Sequence, residues 1–379
     1  MLLIIQTAGG LLLALSAAGI AYTLAAAVLA ARELRAPAAP QGPAAPASLL
    51  KPLCGTEPEL SENLNSFMAQ DYGAPVQMVL GLQDPADPAL AAARAFQAGR
   101  AAEVDLVLDA RQHGINRKVS NLINMAGRAR HDLLVISDAD IRVGPDYLAR
   151  IAEALEAPGV GAATCCYFGQ GRAGFWSRLT AMGVSYGFLP NVVLGVALGM
   201  ARPCMGSTIA LKRPVLERIG GLEAFKDVLA DDYEIGRAVR GLGLRVVLPP
   251  MAVEHGCAER SLGALIAQEL RWAVTIRSLQ PAGHYGSVVT HPVPLAALGA
   301  LLLGAPAYAL AVLAAAVAAR AALKLAVDRA VGAASGPMLL LPVRDFVSFG
   351  VFCCSLFVRS VDWRGARFRV SSRRRVPAA

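Results

Sequence analysis

Two carboxylates separated by one residue, Asp138 and Asp140, follow the apolar run Leu133–Ile136 after a single Ser137. A buried strand of this kind delivers its last side chains to the carboxyl end of an open α/β sheet, where such sheets bind ligands. Hard oxygen ligands at that place suit Mg²⁺ or Mn²⁺ that bridges phosphate oxygens. The same pattern is also typical of a turn or a helix cap ahead of Pro145. This motif by itself therefore leaves a metal-held diphosphate and an ordinary turn as alternatives.

Two further candidates could bind a nucleotide. Asp84 follows the apolar run Val76–Leu82, and its carboxylate could accept hydrogen bonds from a uracil or a ribose, although a turn Asp before Pro85 has the same appearance. Lys118 and Asn121 stand where a helix is predicted to begin. Backbone amides at a helix start and a Lys point charge suit a diphosphate, whereas a solvated basic helix start is the alternative.

Asp232 is the candidate general base. It belongs to the pair Asp231-Asp232, which opens a predicted helix. An acceptor hydroxyl that attacks a sugar carbon must lose its proton, and a carboxylate beside the donor can take it. Tandem Asp at a helix start is otherwise a capping feature.

Gln268, Arg271 and Trp272 are spaced to share one face of a helix. An amide, a guanidinium and an indole that converge there can hold a phosphate and stack on a sugar or a lipid head group. The alternative is an Arg that extends to a membrane surface beside an interfacial Trp.

Short apolar runs alternate with helical patterns between residues 49 and 248, which predicts a mostly parallel sheet with helices on both faces, an α/β fold. The predicted strands are 76–82, 104–108, 133–136, 160–164 and 246–248, and the predicted helices are 57–70, 118–128, 145–155 and 232–241. The apolar stretch 174–200, which Pro190 and two glycines interrupt, is either an interfacial lid or ordinary core.

The composition places part of the chain in a bilayer. Of 379 residues, 55% are hydrophobic, and the mean hydropathy is positive at +0.48. The net charge of +8 lies largely in Arg clusters beside apolar segments, which favours anionic lipid head groups over nucleic acid, and aromatic interleaving for base stacking is absent. Seven cysteines without CxxC spacing and five scattered histidines indicate neither a zinc site nor a disulfide framework, so we interpret them as structural. His255 and Glu254 could still touch the acceptor.

The first apolar segment is long enough to cross a bilayer, and Arg32 and Arg35 follow it, which predicts an uncleaved anchor with its Arg side cytoplasmic. Later apolar runs predict two or three more membrane segments, and Pro292, Pro294 and Pro306 could divide the first of them into a re-entrant or kinked pair. The predicted organisation is an anchor at 1–35, a linker at 36–48, a catalytic domain at 49–280, a membrane region at 290–360 and a basic cytoplasmic tail at 361–379.

The ordered set Asp84, Asp138-Ala139-Asp140, Asp232 and Gln268-x-x-Arg271-Trp272 resembles the D, DxD, D, QxxRW motifs of processive and lipid-directed glycosyltransferases with a GT-A fold. The chain is still more similar to the ceramide glucosyltransferase family, family 21. The segments that carry this closer resemblance are Lys51-Pro52-Leu53-Cys54-Gly55, Gln83-Asp84-x-x-Asp87-Pro88, Gly114-Ile115-Asn116-x-Lys118-x-x-Asn121-Leu122, Ile141-Arg142-Val143, Asp231-Asp232-Tyr233, Arg344-Asp345 and Asp362-Trp363-Arg364-Gly365.

The resemblance implies a GT-A catalytic domain with an N-terminal transmembrane helix and C-terminal transmembrane segments. It also implies a role for each motif residue. Asp84 would hold the nucleoside, Asp138 and Asp140 the metal (Mg²⁺ or Mn²⁺) and the diphosphate, and Asp232 would be the base. Lys118 and Asn121 would add donor contacts, and Gln268, Arg271 and Trp272 would border the donor and acceptor sites. Eukaryotic members carry Asp-Ser-Gly at positions 138–140, so the complete DxD here favours metal dependence and a bacterial subfamily.

The activity that the resemblance implies is inverting transfer from a UDP-sugar donor to a lipid hydroxyl at the cytoplasmic face of a bacterial inner membrane. A similar length and pattern occurs in the hopanoid biosynthesis-associated glycosyltransferases, which attach N-acetylglucosamine to bacteriohopanetetrol. The Ala- and Arg-rich composition favours that branch, and ceramide glucosylation from UDP-glucose is the alternative. A processive polysaccharide synthase also carries QxxRW, but few polar residues are available here to line a polymer channel. A non-catalytic membrane scaffold is the remaining hypothesis, and the ordered motifs argue against it.

Overall fold

The structure, a computed structural model, describes residues 1–35, 44–358, 360–363 and 366–369. Its helices are α1 (Leu2–Glu33), α2 (Leu60–Met68), α3 (Ala89–Ala98), α4 (Arg117–Ala126), α5 (Tyr147–Glu156), α6 (Phe175–Gly183), α7 (Leu189–Ala197), α8 (Arg213–Arg218), α9 (Asp231–Gly241), α10 (Leu262–Leu279), α11 (Pro281–Gly286), α12 (Pro292–Leu302), α13 (Ala307–Val331) and α14 (Leu341–Ser355). Its strands are β1 (Ala47–Pro52), β2 (Val76–Leu82), β3 (Val104–Leu108), β4 (Leu133–Ile136), β5 (Ile141–Arg142), β6 (Val160–Ala163), β7 (Cys166–Gly171), β8 (Ile209–Lys212), β9 (Arg245–Val247), β10 (Ala252–Cys257), β11 (Ser360–Trp363) and β12 (Ala366–Arg369). Most of the predicted linker, at 36–43, and the tail residues Arg364 and 373–375 lie outside the described residues.

The main sheet has seven strands in the order β3-β2-β1-β4-β8-β6-β9. Strand β1 lies between β2 and β4 and is parallel to both, β3 is parallel to β2, and β9 is parallel to β6. Only β8 runs antiparallel to its neighbours, β4 and β6, in this part of the structure. The predicted mostly parallel sheet is therefore confirmed. The carboxyl ends of β1 to β4 meet at one edge, which is where open sheets bind ligands.

Helices cover both faces of this sheet, as predicted, because successive side chains of a strand point to opposite sides. In β1, Leu49 belongs to one buried apolar cluster with residues of α2, α3 and α5. Its neighbour Leu50 belongs to another cluster, with residues of α4 and α9. Strand β4 is buried along its whole length, which explains its uninterrupted apolar sequence.

A smaller sheet has the order β5-β10-β7. Strand β5 begins directly after Asp140 and pairs antiparallel with β10 through Arg142 and Glu254 and through Ile141 and His255. The segment from β4 to β5 thus joins the two sheets and carries both carboxylates of the DxD motif.

The chain divides into two compact units. One unit contains Ala36–Tyr167 and Arg202–Ala258, which include the main sheet. The other contains Met1–Arg35, Phe168–Ala201 and Glu259–Ala379. The predicted domain boundaries at 49, 280 and 290 stay predictions.

The second unit is built mainly of apolar helices. Four of the described helical segments are long and apolar enough to cross a membrane: Leu2–Glu33, Phe175–Ala197, Ala307–Val331 and Met338–Ser355. A bent pair, Pro281–Thr290 and Pro292–Leu302, meets at 65° and adds a further candidate. A break separates α12 from α13 and ends at Pro306, the N-cap of α13, so one of the three prolines that could divide this apolar stretch lies at a break between helices. The segment 174–200, for which a lid and a core were alternatives, forms α6, a π-helix at Val184–Phe188 and α7.

Helix α1 packs against α12 and α13. Gly19 allows α1 to approach the turn just before α12 closely, because a Cβ at this position would overlap the carbonyl oxygen of Val289 and would lie 3.2 Å from Pro292 Cβ. The hydroxyl of Ser16 donates to the carbonyl oxygen of Pro292 at 2.9 Å. Small residues that let helix backbones approach in this way are typical of helix contacts in membranes.

Candidate active site

The segment after β4 is held by hydrogen bonds to three successive backbone carbonyl groups, those of Asp138, Ala139 and Asp140. The donors are Lys51 Nζ to Asp138 O at 2.5 Å, Asn63 Nδ2 to Ala139 O at 3.1 Å and the backbone N–H of Gly256 to Asp140 O at 2.8 Å. Because the backbone is fixed from β1, α2 and β10, the two carboxylates have defined positions before any ligand binds.

Lys118 is the cation beside the DxD motif. Its Nζ lies 2.6 Å from Asp138 Oδ1 and 3.8 Å from Asp231 Oδ2. Burial lowers the pKa of Lys118, but the carboxylates of Asp138 and Asp231 outweigh this effect and raise the pKa above its ordinary value. Lys118 is therefore a fixed positive charge, as a diphosphate contact requires. Asp138 retains an exposed fraction of 37% and can reach a ligand from the open side.

Asn116 positions Lys118 by capping α4. Its side-chain oxygen accepts from the backbone N–H of Val119 at 3.1 Å, while its Nδ2 donates to Asp231 Oδ1 at 3.1 Å. One side chain therefore fixes both the start of α4 and the carboxylate that precedes Asp232.

Gly206 connects the DxD motif to Asp232. Its backbone N–H donates to Asp232 Oδ2 at 3.1 Å, and its carbonyl oxygen accepts from the backbone N–H of Asp138 at 3.3 Å. A Cβ at this position would lie 2.8 Å from Asp138 Oδ2 and 3.1 Å from Lys118 Nζ. Asp138 and Asp232 thus lie on the two sides of position 206. Only glycine fits at this position without displacing the neighbouring side chains.

Asp232 has the properties of a general base. It lies in the first turn of α9, and its Oδ1 accepts from the backbone N–H of Tyr233 at 2.7 Å. Burial, followed by the neighbouring carboxylate of Asp231, raises the pKa of Asp232 to about 6. A carboxylate with this pKa is mostly ionised at neutral pH and is more basic than an ordinary Asp.

Asp140 is paired with His255, whose Nε2 lies 3.3 Å from Asp140 Oδ2. Burial lowers the pKa of His255, but Asp140 outweighs it and raises this pKa well above its ordinary value. Burial by itself would raise the pKa of Asp140. The positive charges of His255 and Lys51 have a larger, opposite effect, so the pKa of this carboxyl group is lowered. Asp140 is therefore ionised.

The site fits a divalent cation that a substrate helps to hold. Asp140 Oδ1 is buried and has no hydrogen-bond partner among the described residues. These residues contain no group of three or more His, Cys, Asp or Glu side chains that could by themselves bind a metal. Mg²⁺ and Mn²⁺ sites that use one or two carboxylates together with substrate phosphates have this donor set.

The contacts of Asp84 and Asn121 support their predicted donor-binding roles less directly than those of Lys118 and Asp138 do. Asp84 follows β2 at the same sheet edge, is exposed, and accepts from the backbone N–H of Ala86 at 2.8 Å, which is the turn geometry considered for it. Asn121 is buried, and its Nδ2 donates to the carbonyl oxygen of Gly81 at 2.8 Å. Asn121 fixes α4 against β2, and its role as a donor contact stays a prediction.

Gln268, Arg271 and Trp272 lie together on α10, in the second unit. Arg271 Nη2 donates to Gln268 Oε1 at 3.0 Å, and its guanidinium lies 5.9 Å from the centre of the Trp272 ring. The predicted convergence of amide, guanidinium and indole on one helix face is confirmed, while their contact with substrates stays a prediction.

Sequence reasoning missed the functions of Lys51, Gly206 and His255 in organising the site. The available signal for Lys51 was a single charge in the short run that forms β1. Its side chain is buried against the backbone of the DxD motif, and burial lowers its pKa to about 7. His255 was interpreted as structural, although it lies against Asp140. No local pattern singles out Gly206, because its contacts come from residues far away in the sequence.

The sequence profile described as Glycosyl transferase family 21 matches residues 11–376. The chain belongs to glycosyl transferase family 21. This family 21 chain is 26% identical to Ceramide glucosyltransferase 1 of Caenorhabditis elegans over 203 residues, which are 53% of the chain and 43% of that protein. It is 22% identical to Ceramide glucosyltransferase 3 of the same organism over 236 residues, 59% of the chain and 49% of that protein. It thus spans less than half the length of each of these relatives.

The family 21 chain also resembles a solved structure, the mannosyltransferase PcManGT from Pyrobaculum calidifontis in complex with GDP-Man and Mn²⁺. The TM-score is 0.56 at 24% identity, and the match covers 92% of this chain and 99% of the other. The likeness establishes the fold. The predicted GT-A architecture with apolar N-terminal and C-terminal helices is confirmed.

Proposed function

We propose that this protein is an inverting, membrane-bound glycosyltransferase that moves a sugar from a UDP-sugar to a lipid hydroxyl. The observation that carries the proposal is the Gly206 connection, which puts the predicted donor-binding carboxylate Asp138 and the predicted base Asp232 on either side of one residue. Family 21 membership and the GT-A fold support transfer of a sugar. The apolar helices support a lipid acceptor.

The proposed reaction is a single displacement. The acceptor oxygen forms a bond to the sugar's anomeric carbon while the bond from that carbon to the UDP oxygen breaks, and Asp232 takes the hydroxyl proton. Lys118 holds positive charge where the diphosphate leaves. Asp138 and Asp140 would hold a divalent cation, which would supply Lewis-acid stabilisation of the leaving group. Because attack and departure occur on opposite faces, the product is β-linked when the donor is α-linked.

For the acceptor we propose bacteriohopanetetrol with UDP-N-acetylglucosamine as donor, and ceramide with UDP-glucose as the second candidate. The residues at 138–140, which form a complete DxD, and the Ala-rich and Arg-rich composition support the first pair. The similarity to two ceramide glucosyltransferases supports the second pair at least as strongly. The proposed location is a bacterial inner membrane with the catalytic unit in the cytoplasm, supported by Arg32 in the last turn of α1 and by Arg35 just after it.

A matrix of two donors and two acceptors tests the proposal. The full chain in detergent is incubated with UDP-glucose or UDP-N-acetylglucosamine, each with ceramide or bacteriohopanetetrol, with Mn²⁺, with Mg²⁺ and with a chelator. We expect one pair to give a lipid with a single added sugar, and the chelator to remove this product. A ladder of sugars in mass spectra would instead indicate a polymerase, and no transfer with any pair would contradict the proposal.

A further inference from the structure

Helix α10, which carries the QxxRW residues, is joined to α14 by a buried ion pair. Nη2 of Arg344 in α14 lies 2.7 Å from both carboxylate oxygens of Glu269 in α10. Glu269 stands between Gln268 and Arg271 in the sequence, so the ion pair lies within the motif. Both side chains are buried, at 10% and 4% exposure.

A second contact joins the same two helices near the end of α10. The guanidinium of Arg277, near the end of α10, donates to the backbone carbonyl oxygens of Ser355 and Val358 at the end of α14. Ser355 is in the last turn of α14, where carbonyl groups have no partner within the helix, and a cation there also favours the helix dipole, while Val358 lies just beyond the helix. Helix α10 is therefore attached to α14 on both sides of Trp272.

Arg344 is placed for this contact by its surroundings. Its guanidinium packs directly on Gly183, where a Cβ would lie 2.5 Å from Arg344 Cζ. Its Nε and Nη1 are buried without a partner among the described residues, so Glu269 is the counter-charge of Arg344. A buried ion pair of this kind costs desolvation and is weak evidence for a contribution to stability, so we consider a role in positioning.

We propose that Arg344 and Glu269 are positioning residues that fix the depth of the QxxRW face relative to the bilayer. Helix α14 is part of the candidate membrane span Met338–Ser355, so a helix fixed to it has a set distance from the lipid head groups. Trp272 and Arg271 are then presented at the level where a lipid hydroxyl emerges. The inference rests on the proposed function, because it assumes that the QxxRW face borders the site where the lipid acceptor binds.

A second buried pair on the same helix offers a matched control. Asp345, next to Arg344, accepts from Arg320 of α13 at 2.7 and 2.9 Å, and Arg320 also donates to the carbonyl oxygen of Tyr186 at 2.6 Å. This pair is buried in the same unit and joins α13 to α14. Arg320→Met therefore removes an equivalent cation without removing a contact to α10.

The first test measures the depth of Trp272 and needs no activity. The chain has three Trp residues, so Trp176→Phe and Trp363→Phe leave Trp272 as the only indole. The protein is reconstituted in phosphatidylcholine and phosphatidylglycerol vesicles whose acyl chains are brominated at different carbons, and the quenching of Trp272 fluorescence is measured. We expect Arg344→Met to change the bromine position that quenches best, and Arg320→Met to leave it unchanged.

The second test separates positioning from a general structural role. We expect Arg344→Met to raise the KM for the lipid roughly tenfold while the KM for the UDP-sugar stays unchanged, because misplacing a positioned group has effects of this order or larger. The exchange Glu269→Arg with Arg344→Glu should restore part of the loss. If Arg344→Met does not fold, Arg344→Lys, which shortens the reach to Glu269, is measured in its place.

An unchanged Trp272 depth in the Arg344 variant would overturn the inference, as would equal effects of the Arg344 and Arg320 variants on depth or on the two KM values. Failure of the proposed function has a different signature. In that case the unsubstituted protein transfers no sugar from any donor, while the fluorescence experiment still decides whether Arg344 sets the depth of α10.

Discussion

At the scale of residues, the candidate site consists of acidic side chains paired with basic side chains. Lys118 contacts Asp138 and lies near Asp231, and His255 is paired with Asp140. Asp232, in contrast, has two backbone N–H donors, those of Gly206 and Tyr233. The pKa of Asp232 is raised whereas that of Asp140 is lowered, and this difference separates the proposed base from the proposed metal ligand Asp140.

The raised pKa of Asp232 predicts an acidic limb in the pH dependence of transfer. A base must be ionised to take a proton, so kcat/KM should fall about tenfold per pH unit below a pKa of about 6 instead of below about 4. Because Asp231 is the second cause of the shift, Asp231→Asn should move this limb to lower pH. The measurement is kcat/KM for the UDP-sugar from pH 5 to 8, and a limb that does not move in this variant would contradict the assignment.

Gly206→Ala should damage activity more than stability. The added Cβ meets the ends of two flexible side chains, Asp138 and Lys118, which can move aside without unfolding the protein. We expect kcat/KM to fall by about 10²-fold, because a displacement near 1 Å has effects of this size, while the melting temperature changes little. Gly127→Ala is the control, since a Cβ there meets nothing within 4 Å. Equal activity of the two variants would show that the Gly206 connection is unimportant.

At the scale of elements, strands that are short apolar runs were predictable from the sequence, and β2, β3 and β4 have the predicted bounds. Burial on both faces makes β2 and β4 nearly continuous in hydrophobicity, whereas β3 is only partly buried. Strand β1 was not predicted, because Lys51 and Pro52 interrupt its pattern. The Lys side chain is nevertheless buried, since its amine donates to the backbone of Asp138 and to the hydroxyl of Ser137. Tertiary contacts thus override the local pattern.

The candidate site was partly predictable for the same reason. Asp138, Asp140 and Asp232 directly follow or begin regular elements, so their positions could be inferred from periodicity. Gly206 and His255 depend on which strands become neighbours, and sequence spacing does not contain that information. Asn116 connects α4 to Asp231, a residue 115 positions away in the sequence, so local spacing could not predict this contact.

Asn116 combines two functions that substitution can separate. Asn116→Ala removes the cap of α4 and the contact with Asp231, and we expect a loss of about 1 to 2 kcal/mol in the free energy of unfolding. Asn116→Ser keeps a capping oxygen but is too short to reach Asp231, so it should retain most of the stability while weakening UDP-sugar binding. Denaturant titration and equilibrium binding of UDP measure the two effects. Tight UDP binding by both variants would contradict a role for Asn116 in the site.

At the scale of the whole molecule, a GT-A unit is combined with a unit of apolar helices that contains both ends of the described chain. The second unit is organised by close helix contacts at glycines and by buried ion pairs, the two devices that proteins use where the surroundings are hydrocarbon. Composition predicted the presence of these helices. It could not predict which of them pair, because nearly every position in them is apolar.

The contact of α1 with α12 and the preceding turn should depend on Gly19. Gly19→Leu introduces a side chain where even a Cβ overlaps the backbone of Val289, so α1 should separate from the other helices. We expect the melting temperature in detergent to fall by several degrees, and a protease to reach sites that α1 covers. Gly10→Leu, at a position with open space, is the control. If both variants melt at the same temperature as the unsubstituted protein, the proposed packing of α1 is wrong.

The most direct measurement of the central claim compares transfer and donor binding in Asp232→Asn. The variant keeps the shape of the side chain but cannot take a proton and can accept from only one of the N–H groups of Gly206 and Tyr233, so we predict that transfer to the lipid is lost while the affinity for the UDP-sugar changes little. Asp138→Asn, in the same assays, should weaken donor binding. Transfer by Asp232→Asn at the rate of the unsubstituted protein would contradict the account, because the acceptor hydroxyl would then lose its proton elsewhere.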